Sequence, residues 1–555
     1  MCGITGYISD VKKDSDYFDI KFQNILKILE RRGPDSSGIW SDNKDLNVYL
    51  GHTRLSILDT SSFGSQPMSS KNKRYVIVYN GECYNHNYLR NKCDQYLIDN
   101  KREPILWSGN SDTETILEFF CIFGIETTLS EIEGMFSFSI WDIKSNDLIC
   151  ARDKFGEKPF FYFYNTESFI FSSDISVFSL FEDLKVNYKS LQYYLSHGYF
   201  GNNQTIYNEV SSLQPGSYLK ISQKEKKLDI KKYFDVFKKI NIKKNKSQDK
   251  NLDDLDIILN NAVKSQMISD VPIGSFLSGG IDSSLITAIM QNHSEKKINT
   301  YSIGFENSDY DESSYAKIVA DQIGTKHHNI IFTAKDALKL IPDLPKAYSM
   351  PFADPSQLPT LFLSKFAAKD IKVALSGDGG DELFGGYNRY EYGKRFWPYI
   401  KILPKSIKRV IPEQSFKDAN GLTSLSMQAI IKLWNKNKNI PQVENKLWKF
   451  MRMAKSNSLE ELYLSLSSQW DSRVIIKNNS IIKNIENPIN NLSNISIEEK
   501  LMLSDIVSYL PNDILVKVDR ASMYNSLEVR APYLNSKVYE FTNDLDISQK
   551  INGTN

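Results

Sequence analysis

The stretch Ile273-Gly274-Ser275-Phe276-Leu277-Ser278-Gly279-Gly280-Ile281-Asp282-Ser283-Ser284-Leu285-Ile286 passes from a short apolar run, through glycines and hydroxyls, into apolar residues at helical spacing. It reads as a buried strand, a tight loop and a helix. Such a loop gathers free N–H groups and the positive end of a helix at one point, which makes a cradle for an anion. Asp282 inside it can hold Mg2+ against phosphate oxygens. No Gly-Lys-Ser/Thr follows, so this is not the Walker phosphate loop. Glycine pairs are usually plain turns; the strand–loop–helix setting is what points to a ligand.

Outward from this loop the pattern is alternating strand and helix. Strands are expected at Thr300–Phe305, Asn329–Phe332 and Ile371–Leu375, and a helix at Ser313–Ile323 with Ala316, Val319 and Ala320 inward. The alternation predicts a doubly wound parallel sheet, in which ligands sit at the carboxyl ends of strands. Two further motifs follow strands there. Ser302-Ile303-Gly304 can line an adenine with backbone groups, and Ser376-Gly377-Asp378-Gly379-Gly380-Asp381-Glu382-Leu383-Phe384-Gly385-Gly386-Tyr387 crowds glycines with carboxylates. Carboxylates so close repel unless a cation or ligand offsets them. From about Tyr390 onward the chain reads mostly as helices.

Upstream, Met1 to Leu219 reads as short strands with a few helices. Tyr75–Tyr79, Phe136–Trp141 and Phe160–Tyr164 carry the β-branched and aromatic residues of sandwiched sheets. A helix is expected over Ser111–Phe123, capped by Asp112 or Thr113. Between Lys238 and Asp254 the composition turns to Lys, Asn and Asp, the mark of a solvated linker.

The 555 residues carry 41% hydrophobic and 24% charged side chains, with 68 basic against 67 acidic residues. A net charge of +1 offers no basis for a nucleic-acid or membrane partner. Cys2, Cys83, Cys93, Cys121 and Cys150 form no CxxC pair, so neither a disulfide scaffold nor a zinc ribbon is expected and a reducing cytoplasm fits. The start Met1-Cys2-Gly3-Ile4-Thr5-Gly6-Tyr7 lacks a signal peptide's basic region and apolar core, and no run is long and apolar enough to span a bilayer.

Removal of Met1 leaves Cys2 with a free α-amine. That pair is a self-contained nucleophile and base, since the amine titrates near neutral pH. Cys83 reads as a small buried hydrophobe. His327-His328 precede a strand and read as structural.

Two sets of motifs carry a family resemblance. Arg31-Arg32-Gly33-Pro34-Asp35, Gly51-His52-Thr53-Arg54-Leu55-Ser56-Ile57 and Asn80-Gly81-Glu82-Cys83-Tyr84-Asn85 resemble amino-terminal-nucleophile glutaminases. Ser278–Ser284, Ser376–Tyr387 and the run Leu510-Pro511-Asn512-Asp513-Ile514-Leu515-Val516-Lys517-Val518-Asp519-Arg520-Ala521-Ser522-Met523 resemble glutamine-dependent asparagine synthetases. The likeness covers nearly the whole chain in the family's order.

It implies an amino-terminal-nucleophile αββα sandwich (1–219), a connecting segment (220–252), and an ATP-pyrophosphatase domain with a helical carboxyl-terminal part (253–555). It implies Cys2, Asn80, Gly81 and Asp378 as catalytic residues, with Asp378 near the acyl-adenylate where the family often places Glu. Glutamine would meet Arg54, Asn80, Gly81, Glu82 and Asp112. ATP would meet Leu277, Ser278, Gly279, Gly280, Asp282, Ser283, Ile303, Ser376 and Gly377, with Mg2+ on Asp282 and Asp381. Glutamine, ATP and a small carboxylate, aspartate first, would be the partners, and a homodimer is compatible. The implied reaction yields glutamate, an amide, AMP and pyrophosphate, with ammonia crossing between the halves.

Two departures keep alternatives open. In Met350-Pro351-Phe352-Ala353-Asp354-Pro355-Ser356-Gln357, Pro355 stands where asparagine synthetases have an Arg that helps hold aspartate, as in relatives from surface-polysaccharide pathways that amidate a sugar acid. The sequence also stops at Asn555, before a Lys and a Leu-Arg-containing helix that relatives carry. The expectation is a truncated chain, with an exposed apolar groove where that helix packs, or a synthetase-like nucleotide-binding protein without full activity.

Overall fold

The structure is a computed structural model that describes residues 2–10, 15–42, 47–201, 203–222, 227–238, 248–306, 311–411, 451–469, 489, 492 and 495–551. Its first half holds β1 (Gly3–Ser9), β2 (Ser36–Asp42), β3 (Asn47–Arg54), β4 (Met68–Ser69), β5 (Tyr75–Cys83), β6 (Gly134–Asp142), β7 (Asp147–Arg152), β8 (Phe161–Tyr164), β9 (Ser168–Ser172), β10 (Val210–Ser212), β11 (Ser217–Ser222) and β12 (Lys227–Lys232). They form two antiparallel sheets, ordered β10-β8-β9-β1-β3-β2 and β12-β11-β7-β6-β5-β4.

Alternation along the strands builds the layers, because successive side chains point to opposite faces. Ile4, Ile8, Val48 and Leu50 of one sheet meet Val76, Val78, Trp141 and Leu148 of the other in a shared core. On one outer face, Phe18, Phe22, Ile25 and Leu29 of α1 (Ser15–Leu29) cover Tyr7, Tyr49 and Ile170. On the other, Leu89 and Cys93 of α2 (His86–Asp99) and Ile116, Leu117, Phe119 and Phe120 of α3 (Asp112–Glu131) cover Ile77, Tyr79, Phe136 and Phe138. The result is an αββα sandwich.

Local detail departs from the sequence pattern in places. Helix α3 runs on to Glu131 across a break at Gly124 (φ 75°), and Ser111 is its cap, accepting the Thr113 N–H. The strand β12 lies inside the expected connector and pairs with β11. Residues 239–247, which hold most of the lysine-rich linker, and 552–555 at the tail lie outside the described residues, and with them the readings made there.

The second half opens with α4 (Gln248–Gln266) and builds one parallel sheet from β13 (Ile273–Phe276), β14 (Asn299–Phe305), β15 (Lys326–Phe332), β16 (Val373–Leu375) and β17 (Glu528–Arg530), ordered β15-β14-β13-β16-β17. Helices α5 (Ile281–Asn292) and α6 (Ser313–Ile323) follow β13 and β14. The chain runs from β13 outward to β15, then returns to place β16 on the other side of β13. The crevice between β13 and β16 is therefore the switch point where open parallel sheets bind ligands. His327 and His328 sit within β15, where Thr300 and Ser302 bond the His327 ring, which fits a structural role. β17 was hidden in a region that reads as helical.

Candidate active sites and family membership

At the switch point two loops lie face to face. The one after β13 is held by its own hydroxyls: Ser283 Oγ accepts from Ser278 N (3.2 Å) and lies 3.0 Å from Ser278 Oγ, while Ser278 Oγ accepts from Gly280 N (3.2 Å). Gly279 takes φ +87°, and a Cβ there would lie 2.7 Å from Ala316 N. The second loop follows β16, and a Cβ on Gly377 would lie 2.9 Å from Ser283 N and 3.0 Å from Asp282 Cβ. A Cβ on Gly380 would lie 2.6 Å from Asp282 Cγ, so the missing side chain lets the Asp282 carboxyl enter the second loop. Leu277 is buried, and Ile303 is half-buried near the carboxyl end of β14.

Three carboxyls converge here. Burial, Asp381 and Asp378 push Asp282 up to about 6. Burial also raises Asp381, against Arg389, and raises Asp378, against a 2.7 Å hydrogen bond from Ser376 Oγ and the charge of Lys517. Among the described residues no group of three or more His, Cys, Asp or Glu is arranged to hold a metal by itself. A pair of repelling carboxylates that leaves most positions to phosphate and water does match how Mg2+ is held with nucleotides.

The other constellation surrounds the start of β1. Cys2 is buried, and burial raises its thiol above the ordinary value. Its backbone N donates to Asn80 Oδ1 at 3.0 Å, and its carbonyl accepts from Arg32 Nε at 3.2 Å. Asn80 and Gly81 lie on β5, where a Cβ on Gly81 would run into the Met135 carbonyl. Two of Arg54's donors reach the Ser61 carbonyl (2.7 Å) and the Asp59 carbonyl, leaving others for a substrate. Asp112 accepts the Cys83 N–H at 2.9 Å, and burial pushes its carboxyl up to about 6. Cys83 is fully buried.

Several residues at these sites were not singled out by their sequence setting. Arg32 spans the halves, with Nη1 2.9 Å and Nη2 3.1 Å from the Asp519 carboxylate; Lys158 Nζ is 3.7 Å from the same group. Burial pushes Asp519 up, but Arg32 and Lys158 outweigh it and hold the carboxyl below its usual value. Glu528 and Arg530, paired at 2.7 Å on β17, extend the second half to Glu82, 3.6 Å from Arg530. Arg32 and Asp519 stand inside the quoted motifs, but nothing in a sequence shows that they face each other.

A model of asparagine synthase matches residues 254–555, more than half of the chain, and a glutamine amidotransferase domain model matches 1–234. The chain belongs to the glutamine-hydrolysing asparagine synthetase family. A putative asparagine synthetase of Methanocaldococcus jannaschii is 33% identical over 551 residues, covering 94% of this chain and 98% of that one. Asparagine synthetase 1 of Bacillus subtilis is 29% identical over 561 residues, covering 100% of this chain and 83% of its own length. Asparagine synthetase B of Escherichia coli is 30% identical over 406 residues, 70% of this chain and 65% of that one. The family makes this chain a carbon–nitrogen ligase that takes glutamine as amido donor and uses ATP to activate an acceptor carboxylate. Among the described residues no helix is long and apolar enough to cross a membrane.

Proposed function

We propose that the acceptor is aspartate and the product asparagine, made at the β13–β16 crevice with ammonia released at Cys2. The observation that carries this reading is the meeting of Asp282, Asp378 and Asp381 at the switch point, beside a loop built to receive phosphate. Asp282 and Asp381 would hold Mg2+, which supplies charge neutralisation for the phosphates when bound. Ser278, Gly279, Gly280, Ser283, Ser376 and Gly377 would bind and orient ATP, with Leu277 and Ile303 beside its base. An oxygen of the aspartate side-chain carboxylate attacks the α-phosphorus, the bond to pyrophosphate breaks, and an acyl-adenylate forms. Ammonia then adds to the acyl carbon, AMP leaves, and the nitrogen loses a proton. Asp378, half-buried and within the field of Lys517, would orient the acyl group and take part in that proton loss.

In the other half, with Met1 removed, the Cys2 amine would take the thiol proton as sulfur attacks the glutamine side-chain carbonyl. Asn80 Nδ2 and Gly81 N–H would hold the oxyanion, and Arg54 and Asp112 the two ends of the amino acid. Ammonia leaves, and water hydrolyses the thioester to glutamate. A cavity of about 50 Å³ between the halves, bounded by Pro159, Phe161, Met350, Phe352, Leu515 and Val516, supports passage of ammonia away from bulk water, where it would protonate. Five free thiols fit a reducing cytoplasm.

The test is stoichiometry. With glutamine, Mg-ATP and aspartate, glutamate, AMP and asparagine should appear one to one to one. Glutamate release with no AMP under any condition would remove the synthetase reading.

A further inference from the structure

Beside the second loop, where Arg389 acts on Asp381, the residues Tyr387–Tyr390 and the stretch Asp505–Ile514 form a wall that none of the roles above uses. That stretch is bonded i to i+5, a wide helix common at functional sites. It carries Asp505, Tyr509 and Asp513, four residues apart, and all three face Arg389. Arg389 is locked in place. Its Nε lies 2.7 Å from Asp505 Oδ2, and its guanidinium plane is held between the Tyr387 and Tyr509 rings, 4.2 and 4.4 Å from their centroids. Asp505 is itself saturated by Tyr390 (2.6 Å) and Tyr463 (2.8 Å). Yet Arg389 Nη2 is buried and has no partner among the described residues.

Asp513 makes the complementary case. It is 2% exposed, its Oδ1 has no donor among the described residues, and burial with the facing Asp354 carboxyl pushes the Asp513 carboxyl up to about 8. The neighbouring Asp354 is spent: Oδ1 takes the Ser356 N–H at 2.7 Å, and Oδ2 lies 3.5 Å from Lys517. Lys517, one turn on from Asp513, acts on Asp378 as well, which ties this wall to the acyl site. A buried guanidinium edge and a buried carboxyl oxygen, both unpartnered and within each other's field, cost free energy unless a ligand fills them.

We propose that this wall reads the α-amino-acid end of the acceptor: Arg389 Nη2 takes the α-carboxylate and Asp513 Oδ1 the α-ammonium. The side-chain carboxylate is then the one turned toward Asp378 and the ATP loops. Arg389 thereby supplies, from another element, the carboxylate grip that Pro355 cannot, and an uncharged sugar ring leaves both groups unsatisfied. The inference rests on the amide-synthesis reading and deepens it.

The test compares aspartate with succinate, which lacks the ammonium, with β-alanine, which lacks the α-carboxylate, and with glucuronate, measuring AMP formed by the full chain with Mg-ATP and ammonia. Aspartate should exceed each analogue in kcat/KM by at least about 100-fold, the discrimination of a site that hydrogen-bonds the missing group. Asp513→Asn should shrink the aspartate-to-succinate ratio by about tenfold or more, and Arg389→Lys the aspartate-to-β-alanine ratio, because Lys lacks the planar fork. The wild-type series stands even if a variant does not fold. Succinate equal to aspartate, or glucuronate preferred with AMP still formed, overturns the inference and leaves amide synthesis intact. No AMP with any acceptor overturns both.

Discussion

Asp282 holds its proton more tightly in the folded chain, near 6, than at its ordinary 3.8. The sign follows by linkage: the ligand-free fold loses stability as pH rises from about 4 to 6 and stays less stable above that. At this partly open site the effect is about 1 kcal/mol after solvent screening. Asp282→Asn should therefore raise the ligand-free Tm at pH 7.5 by roughly 1–3 °C, and abolish the further rise that Mg-ATP gives the parent chain. Scanning calorimetry with and without Mg-ATP checks both; a variant still stabilised by Mg-ATP removes Asp282 from the nucleotide site. At the other centre, Cys2→Ala should lose glutamine-dependent AMP formation by about a thousandfold or more and keep ammonia-dependent formation, since Cys2 and Asp282 lie on different halves.

The loops and strands show how elements set those residues. Gly279→Ala meets two penalties at once, a left-handed φ and the Ala316 N–H at 2.7 Å. We expect a loss of roughly 1–3 kcal/mol in urea unfolding, together with weakened ATP binding, because the cradle itself must shift. Between halves, the Arg32–Asp519 pair is buried on both sides, 7% and 5% exposed. Asp519→Ala leaves Arg32 charged without its bidentate partner, a change that costs about 3–5 kcal/mol. The same change frees the Cys2 carbonyl's partner to move, so glutaminase turnover should fall with stability, as glutamate release would read.

At the scale of the whole molecule, the sandwich and the parallel sheet touch through β17, Arg32–Asp519 and the cavity beside Leu515 and Val516. Val516→Trp should fill that space and lower glutamine-dependent amide formation by roughly tenfold, while synthesis from added ammonia changes by no more than about twofold. Equal losses from both nitrogen sources would show the cavity to be only packing.

Much of this was legible in the chain itself. The strand Ile273–Phe276, the loop at Ser278 and the helix behind it follow from local pattern, because apolar spacing and glycine backbone freedom act over a few residues. Runs such as Tyr75–Tyr79 read as strands of sandwiched sheets from their β-branched and aromatic content, while the αββα order came with the family resemblance. The strand Glu528–Arg530 did not show, since three residues of mixed character become a strand only when β16 offers its edge. The facing of Arg32 with Asp519, and the Arg389 Nη2 and Asp513 Oδ1 atoms left without a hydrogen bond among the described residues, were likewise beyond reach. Each depends on which long-range neighbour arrives, and pairing or burial of a charge is a property of two distant segments. Sequence alone thus determined the strand–loop–helix pattern and the family, because both rest on local residue order, and tertiary structure decided which charges are paired inside the chain and which are not, because pairing joins distant segments.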